Sequence, residues 1–183
     1  VFDGKKSPYT EMDEKGPINY YGKLKNDADN YIARHSSNFC ILRPITMFGC
    51  RLKHQRHNPF SFFFEKLSKN DEIVAVNDVY VNMLNVDYLI QSIEVVISKN
   101  LTGEFNISGN DNVNRYEFVN LLKKLMSSES EIISKSSDEF TSFAKRPKDT
   151  SFDNTKMKKE LGIYPNSLEM DLRKLINVTN ISS

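Results

Sequence analysis

Segments typical of strands and segments typical of helices alternate along most of this 183-residue chain, and this alternation limits the fold more than any single motif does. Short apolar runs predict strands at residues 39–48, 72–76 and 104–108. Between them, apolar residues recur at spacings of three and four, which predicts amphipathic helices. Such alternation favours an α/β fold with a largely parallel sheet.

Two of the predicted helices have a clear apolar face. The first covers residues 20–35, and the members of its stripe are Leu24, Ala28, Tyr31 and Ile32. Another covers residues 88–98, with Asp87 as its predicted cap. Its apolar residues are expected to face the core, and they are Leu89, Ile90, Ile93, Val96 and Ile97.

Capping signals predict where two further helices begin. Asn58 precedes Pro59, and a cap followed by a first-turn proline is typical of a helix start. Asn114 stands three residues before Glu117, a spacing that resembles a capping box. Both signals lie just before apolar residues at helical spacing, so each is expected to open an amphipathic helix.

The two ends of the chain give weaker signals. Residues 1–2 look like the end of a buried strand, and the following Asp-Gly pair predicts a turn. Residues 127–142 are rich in serine and charge, which predicts a mobile segment. Two short helices should close the chain, one between Asp153 and Gly162 and one after Ser167.

Composition excludes several classes of function. Lys and Arg total 25 while Asp and Glu total 24, which argues against a nucleic-acid partner. Without a long apolar run, no membrane span is expected. Cys40 and Cys50 are too few for a disulfide framework, so a reduced cytoplasmic compartment is predicted. His54 and His57 have no carboxylate or cysteine at ligand spacing, so no metal site is predicted.

The stretch PINYYGKLK places Tyr21 four residues before Lys25, so both side chains should share one face of the first helix. An ammonium group near a phenol favours the phenolate form. The phenol can then act as a general acid towards a carbonyl oxygen. A surface tyrosine beside a solvated lysine is the plainer alternative for this spacing alone. Tyr20 has Leu24 at the fourth position, so we interpret Tyr20 as a packing residue.

Five stretches, taken in order, resemble the extended short-chain dehydrogenase/reductase superfamily and, within it, the dTDP-4-dehydrorhamnose reductase family. They are VFDG at 1–4, PYTEMD at 8–13, PINYYGKLK at 17–25, ILRPITMFG at 41–49 and RPKDTSFDNTKMKKELGIYPNSLEMDLRKLI at 146–176. The resemblance covers nearly the whole chain.

This resemblance implies the C-terminal part of a Rossmann-like, doubly wound parallel sheet with a small substrate-binding lobe. Residues 1–50 would belong to the NAD(P)-binding domain. Residues 51–183 would form the substrate-binding lobe, interleaved with a returning Rossmann strand and helices. The implied activity is the reduction of a 4-keto-6-deoxy nucleotide-sugar by NADPH or NADH, and a homodimer is a further expectation.

The resemblance also assigns roles to residues. Tyr21 would protonate the sugar oxygen, and Lys25 would support Tyr21 and hold the cofactor ribose. Tyr21, Lys25 and Arg43 are the implied cofactor-binding residues. The implied substrate-binding residues are Asn82, Asn85 and Arg146. The basic loop at 53–57 is either a pyrophosphate contact or, more simply, a solvated loop.

The sequence departs from the family in ways that leave alternatives open. None of its seven glycines forms the glycine-rich turn that binds NAD(P) in this superfamily. The family's catalytic Ser/Thr would precede Val1, so we expect a C-terminal portion that by itself binds NAD(P) poorly and does not catalyse. Residues 78–87 lack the family's Gly and Pro-Thr step, which leaves the sugar open. A nucleotide-sugar epimerase or dehydratase, or a non-catalytic cofactor-binding regulatory subunit, is the alternative.

Overall fold

The computed structural model describes residues 1–140 and 144–181, and it confirms the α/β prediction. The helices are α1 (Tyr20–His35), α2 (Pro59–Ser68), α3 (Val86–Lys99), α4 (Arg115–Met126) and α5 (Leu168–Ile181). The strands are β1 (Cys40–Pro44), β2 (Met47–Phe48), β3 (Ile73–Val76), β4 (Tyr80–Val81), β5 (Leu84–Asn85), β6 (Gly103–Ile107), β7 (Val113–Asn114) and β8 (Ile132–Lys135). A 3₁₀ turn at Ser137–Glu139 and a π-helical turn at Met157–Leu161 complete the described elements.

The strands form two-stranded pairs that are mostly parallel. β1 pairs with β6, β2 with β5 and β3 with β8, all parallel, and β4 pairs with β7 antiparallel. In the longest pair, Leu42 lies opposite Phe105. Partners far apart in sequence are joined through helices, as parallel pairing requires.

The core lies where α4 packs against α2 and α5. Phe60, Phe118 and Leu172 are almost completely buried there. The Phe118 ring meets Phe48 of β2 edge-on, with the ring centroids 5.8 Å apart. Each such side chain stabilises the fold by about 1.5–3 kcal/mol, so this cluster holds the C-terminal two thirds of the chain together.

Most of the predicted caps are confirmed. Asn58 and Asn114 each form a capping box, with Ser61 and Glu117 as their partners. Gly162 ends the π-helical turn with φ 72°, a left-handed conformation that glycine adopts without strain. These local signals depend on short-range chemistry, which is why the sequence alone reveals them.

The cap of α3 is a correction. Asn85, not Asp87, caps this helix, because its Oδ1 accepts a hydrogen bond from the Asp87 backbone N–H at 3.2 Å. Asp87 lies in the first turn, where a carboxylate favours the positive end of the helix dipole.

The predicted apolar face of α1 points to solvent instead of the core, and that of α3 is covered only in part. On α1, Leu24, Tyr31 and Ile32 are exposed, and Gly22 is the buried residue of that helix. On α3 the predicted Leu89 and Val96 pack against the core, but Ile90, Ile93 and Ile97 are exposed. The helices are placed correctly by their periodicity, but that periodicity does not say whether a partner covers the face.

Two loop and strand predictions also need correction. Residues 1–2 are not in a strand; Phe2 is instead buried and stacked on Tyr9 at a centroid distance of 4.3 Å. The mobile segment predicted at 127–142 contains β8, whose backbone pairs with β3, and only its residues 141–142 lie outside the described chain.

A carboxylate holds that segment in place. Asp78, which follows β3, accepts hydrogen bonds from the Ser137 N–H at 2.8 Å and from the Lys148 ammonium at 2.6 Å. The hydrogen bond from Lys148 holds the pKa of Asp78 well below its ordinary value. Sequence composition did not reveal this contact because its members are far apart in the chain.

Helices in the described ranges are all too short or too polar to cross a membrane.

Candidate active site

The first turn of α1 is built by a capping asparagine and a glycine. Asn19 Oδ1 accepts a hydrogen bond from the Gly22 N–H at 2.8 Å. A Cβ atom on Gly22 would lie 3.0 Å from the Pro17 Cβ and 3.3 Å from Asn19 Oδ1. Glycine therefore lets the preceding loop close over the turn that carries Tyr21.

Tyr21 and Lys25 share one face of α1, as predicted. The Nζ atom of Lys25 lies 5.8 Å from the centre of the Tyr21 ring. Both side chains are exposed, Tyr21 by 71%. The phenol is thus open to a ligand and has a cation beside it. Tyr20 is 74% exposed, so its interpretation as a packing residue is wrong.

A half-buried ion cluster holds the second half of α1, C-terminal to Tyr21 and Lys25, against β1 and β6. Asp29 Oδ2 of α1 lies 2.7 Å from Arg43 Nε of β1, and Glu104 Oε2 of β6 lies 2.6 Å from Arg43 Nη2. Lys15 completes the cluster, 3.1 Å from Glu104 and 3.6 Å from Asp29. Two cations and two carboxylates therefore join α1, both strands of the longest pair and the N-terminal loop.

The charge state of the cluster is set by opposing effects on Glu104. Burial disfavours its ionised form, but hydrogen bonds from Arg43 and Lys15 outweigh burial, so the pKa of Glu104 lies below its ordinary value. The carboxylate is therefore ionised near neutral pH, as the pairing with two cations requires.

Arg43 is mainly a member of this cluster. Its side chain is only 8% exposed. The Nη1 atom is nevertheless buried without a hydrogen-bond partner among the described residues. Its contact with the cofactor stays a prediction, and that free nitrogen is the atom that could make it.

Asn82 and Asn85 have internal partners. The Asn82 amide donates to Phe152 O at 2.8 Å and to Ser108 Oγ at 3.0 Å, and its oxygen accepts from the Phe152 N–H at 3.0 Å. Asn85 is 2% exposed and caps α3. Substrate contacts from either residue stay predictions, and the observed contacts of both are structural.

Arg146 lies in the same part of the molecule as the first turn of α1. The neighbouring Lys145 carbonyl accepts a hydrogen bond from Asn19 Nδ2 at 2.8 Å. Arg146 itself is exposed. The structure therefore brings the predicted acid and the predicted substrate-binding arginine to two segments that contact each other.

The sequence did not single out Arg115, the first residue of α4. Burial and the positive charge of nearby Arg146 lower the pKa of the Arg115 guanidinium. In the described chain no carboxylate lies within ion-pair distance of Arg115. Two arginines near each other without a counter-ion favour a bound anion. An arginine in a helical first turn carries no sequence signal of such a role.

Two surface clefts lie elsewhere. One of about 380 Å³ runs between α2, the end of α4 and α5, and one of about 410 Å³ lies between residues 50–52, α2 and α5. Neither of these two clefts is lined by α1, and the side chains of Tyr21 and Lys25 are exposed. Within residues 1–140 and 144–181, no three His, Cys, Asp or Glu side chains converge on a metal site.

A helix that presents a tyrosine and a lysine together, beside parallel strands, places the chain among α/β proteins of the Rossmann-like type. The family model described as "RmlD substrate binding domain" matches residues 1–181. The chain belongs to this family, which confirms the resemblance found in the sequence.

Two curated proteins are similar in sequence to much of this chain. Methionine adenosyltransferase 2 subunit beta of Danio rerio is 26% identical over 123 residues, which are 64% of this chain and 38% of that protein. The dTDP-4-dehydrorhamnose reductase of Aggregatibacter actinomycetemcomitans is 25% identical over 189 residues, covering 96% of this chain and 63% of that protein. This chain therefore spans less than two thirds of either relative.

A solved structure shows the fold directly. The dTDP-4-dehydrorhamnose reductase from Bacillus anthracis, in complex with NADP, matches with a TM-score of 0.87 over 97% of this chain and 62% of that chain. The sequences are 23% identical. Likeness at this identity establishes the Rossmann-like fold.

Proposed function

We propose that the protein carrying this chain is an NAD(P)H-dependent reductase of a 4-keto-6-deoxy nucleotide-sugar. The observation that carries the proposal is the exposed pair of Tyr21 and Lys25, 5.8 Å apart from ring centre to Nζ on one face of α1. Membership in the RmlD substrate binding domain family supports the substrate class. NADPH or NADH is the proposed cofactor, and the NADP complex of the Bacillus anthracis reductase supports a nicotinamide.

In the proposed reaction Tyr21 is the proton donor and Lys25 stabilises the phenolate that remains. A bound reduced nicotinamide supplies the hydride that forms the new C–H bond at C4 of the sugar. As the carbonyl electrons move to oxygen, the Tyr21 hydroxyl donates its proton to that oxygen. Lys25 stabilises the resulting phenolate by its charge, and the same ammonium can hold the cofactor ribose. The exposed ammonium of Lys25 and the unpartnered Nη1 of Arg43 are the atoms that fit a cofactor.

Arg146 and Arg115 are the proposed partners of the substrate diphosphate. An arginine fork matches phosphate oxygens, and two arginines without a carboxylate leave their donors available. Residues 1–50 are proposed as the cofactor-side part and residues 51–183 as the substrate-side part with a returning strand. A homodimer and a cytoplasmic location stay predictions from the sequence.

A regulatory subunit is the second candidate. The observation that favours it is the relative from Danio rerio, whose name makes it a subunit of methionine adenosyltransferase. A cofactor-binding regulatory subunit could use Lys25 to hold the ribose, but it would need no proton donor at Tyr21. The Tyr21–Lys25 pair therefore favours the enzyme.

The test is an activity assay of the protein as isolated from its own cells, with NADPH and a panel of 4-keto and 4-hydroxy nucleotide-sugars. We expect oxidation of NADPH only with a 4-keto sugar. Tyr21→Phe should lower kcat by about 10²–10⁴-fold because the proton donor is lost. Tyr20→Phe is the matched control, since Tyr20 is about as exposed as Tyr21 and has Leu24, not a lysine, four residues later. Equal activity of the two variants would refute the role of Tyr21.

The panel also separates the alternatives. Interconversion of 4-hydroxy sugars without net oxidation of NADPH would identify an epimerase. Absence of turnover together with a stoichiometric partner enzyme in a pull-down would identify a regulatory subunit.

A further inference from the structure

Asn19 uses both ends of its amide group. Its Oδ1 atom accepts from the Gly22 N–H at 2.8 Å and caps α1. Its Nδ2 atom donates to the backbone carbonyl of Lys145, also at 2.8 Å. A cap needs only the oxygen. The nitrogen therefore makes a second, separate connection to a distant part of the chain.

The connection joins two of the proposed functional residues. Tyr21 lies two positions after Asn19, and Arg146 lies one position after Lys145. The far end of this segment is held independently, because the Tyr80 N–H donates to Lys148 O at 2.7 Å. Gly4 lies against the middle of the segment, where a Cβ atom would be 2.6 Å from the Pro147 Cβ. Asn19 thus fastens the end of the segment that carries Arg146.

A nucleotide-sugar substrate would require a fixed distance between Arg146 and Tyr21. The diphosphate is attached at C1 of the sugar ring, and the ketone is at C4, on the opposite side of the same ring. An arginine that binds the diphosphate and a phenol that protonates the ketone oxygen must therefore be a set distance apart. Small errors in such placement reduce the rate strongly.

We propose that Asn19 is a positioning residue, whose side-chain N–H holds the Arg146 segment in register with Tyr21. The proposal rests on the proposed function, since the register matters only for a ligand that contacts both residues. Asn19 itself is not placed at the reacting atoms.

The two ends of the amide can be separated by substitution. Asn19→Asp keeps an oxygen that caps α1 but has no N–H for Lys145 O. Asn19→Ala loses both contacts. Asn19→Ser also keeps a capping oxygen without the donor, so it checks that the added charge of Asp is not the cause.

Hydrogen exchange measures the connection without any ligand. In Asn19→Asp and Asn19→Ser we expect faster exchange of the backbone amides in residues 144–150, with no change in α1. Asn19→Ala should also speed exchange in the first turn of α1. Unchanged exchange in 144–150 for the Asp and Ser variants would overturn the proposal.

Binding and kinetics then test positioning. Affinity for the product-like ligand dTDP-rhamnose should fall about tenfold in Asn19→Asp and Asn19→Ser, and KM should rise with a smaller change in kcat. Normal affinity and KM in both variants, despite faster exchange, would overturn the positioning role. If the unaltered protein binds no nucleotide-sugar, the proposed function fails, and the positioning role fails with it. The exchange result would then report only the connection between α1 and the segment.

Discussion

At the scale of single residues, Asn82 shows how a resemblance and a fold can assign different roles to one side chain. The resemblance places it against the substrate. In the structure it is 5% exposed, and its amide connects the end of β6 with residue Phe152. Its hydrogen-bonding atoms already have protein partners, so a structural role accounts for them.

Asn82→Ala should therefore destabilise the protein. Removing the amide leaves the Phe152 N–H and the Ser108 hydroxyl without the partners that Asn82 supplies. We expect a loss of about 2–4 kcal/mol in the free energy of unfolding, measured by urea denaturation. Unaltered stability with a raised KM for the nucleotide-sugar would instead show that Asn82 contacts substrate.

At the scale of elements, local signals were predictable and long-range ones were not. The capping boxes at Asn58 and Asn114 depend on neighbours three residues away, and both are confirmed. β8 was missed because its pairing with β3 depends on residues far away in sequence. The exposed stripe of α1 could not be distinguished from a buried one, since periodicity gives the face but not its partner.

The site follows the same division. The shared face of Tyr21 and Lys25 was predictable because it is a property of one helix turn. The ion cluster around Arg43 and the proximity of Arg115 to Arg146 were not, because each brings together segments from distant parts of the chain.

The ion cluster around Arg43 predicts that the free energy of unfolding depends on pH. The pKa of Glu104 is lowered in the folded state, so this carboxylate stabilises the fold above its unfolded pKa, and that stabilisation is lost as the pH falls. We expect the free energy of unfolding to fall below about pH 4–5. Glu104→Gln should be less stable near neutral pH and should lose less on acidification. Parallel pH profiles for the two proteins would show that Glu104 contributes nothing to this dependence.

At the scale of the whole molecule, the 183-residue chain carries the proposed acid and the substrate arginines but no glycine-rich turn. β1 also has a single strand neighbour, β6, in the described part of the chain, so one of its edges lacks a strand partner. An unpaired strand edge favours association with other chains.

Ligand titrations of this 183-residue chain should show that it binds the substrate better than the cofactor. We expect weak binding of NADPH and measurable binding of dTDP-rhamnose by calorimetry. Arg115→Met should weaken nucleotide-sugar binding about tenfold. Lys124→Met, in the last turn of the same helix, should not, because of these two residues only Arg115 lies near Arg146. Tight binding of NADPH by the chain alone would contradict this assignment of parts.

The most direct test of the account is the path of the transferred hydrogen. The protein in its cellular form is given NADPH deuterated at C4 of the nicotinamide, together with a 4-keto-6-deoxy nucleotide-sugar, and the product is examined by NMR. The account predicts deuterium at C4 of the sugar with the unaltered protein and with Tyr20→Phe, and almost none with Tyr21→Phe in the same time. A product without deuterium at C4, or the same labelling rate in Tyr21→Phe, would contradict it.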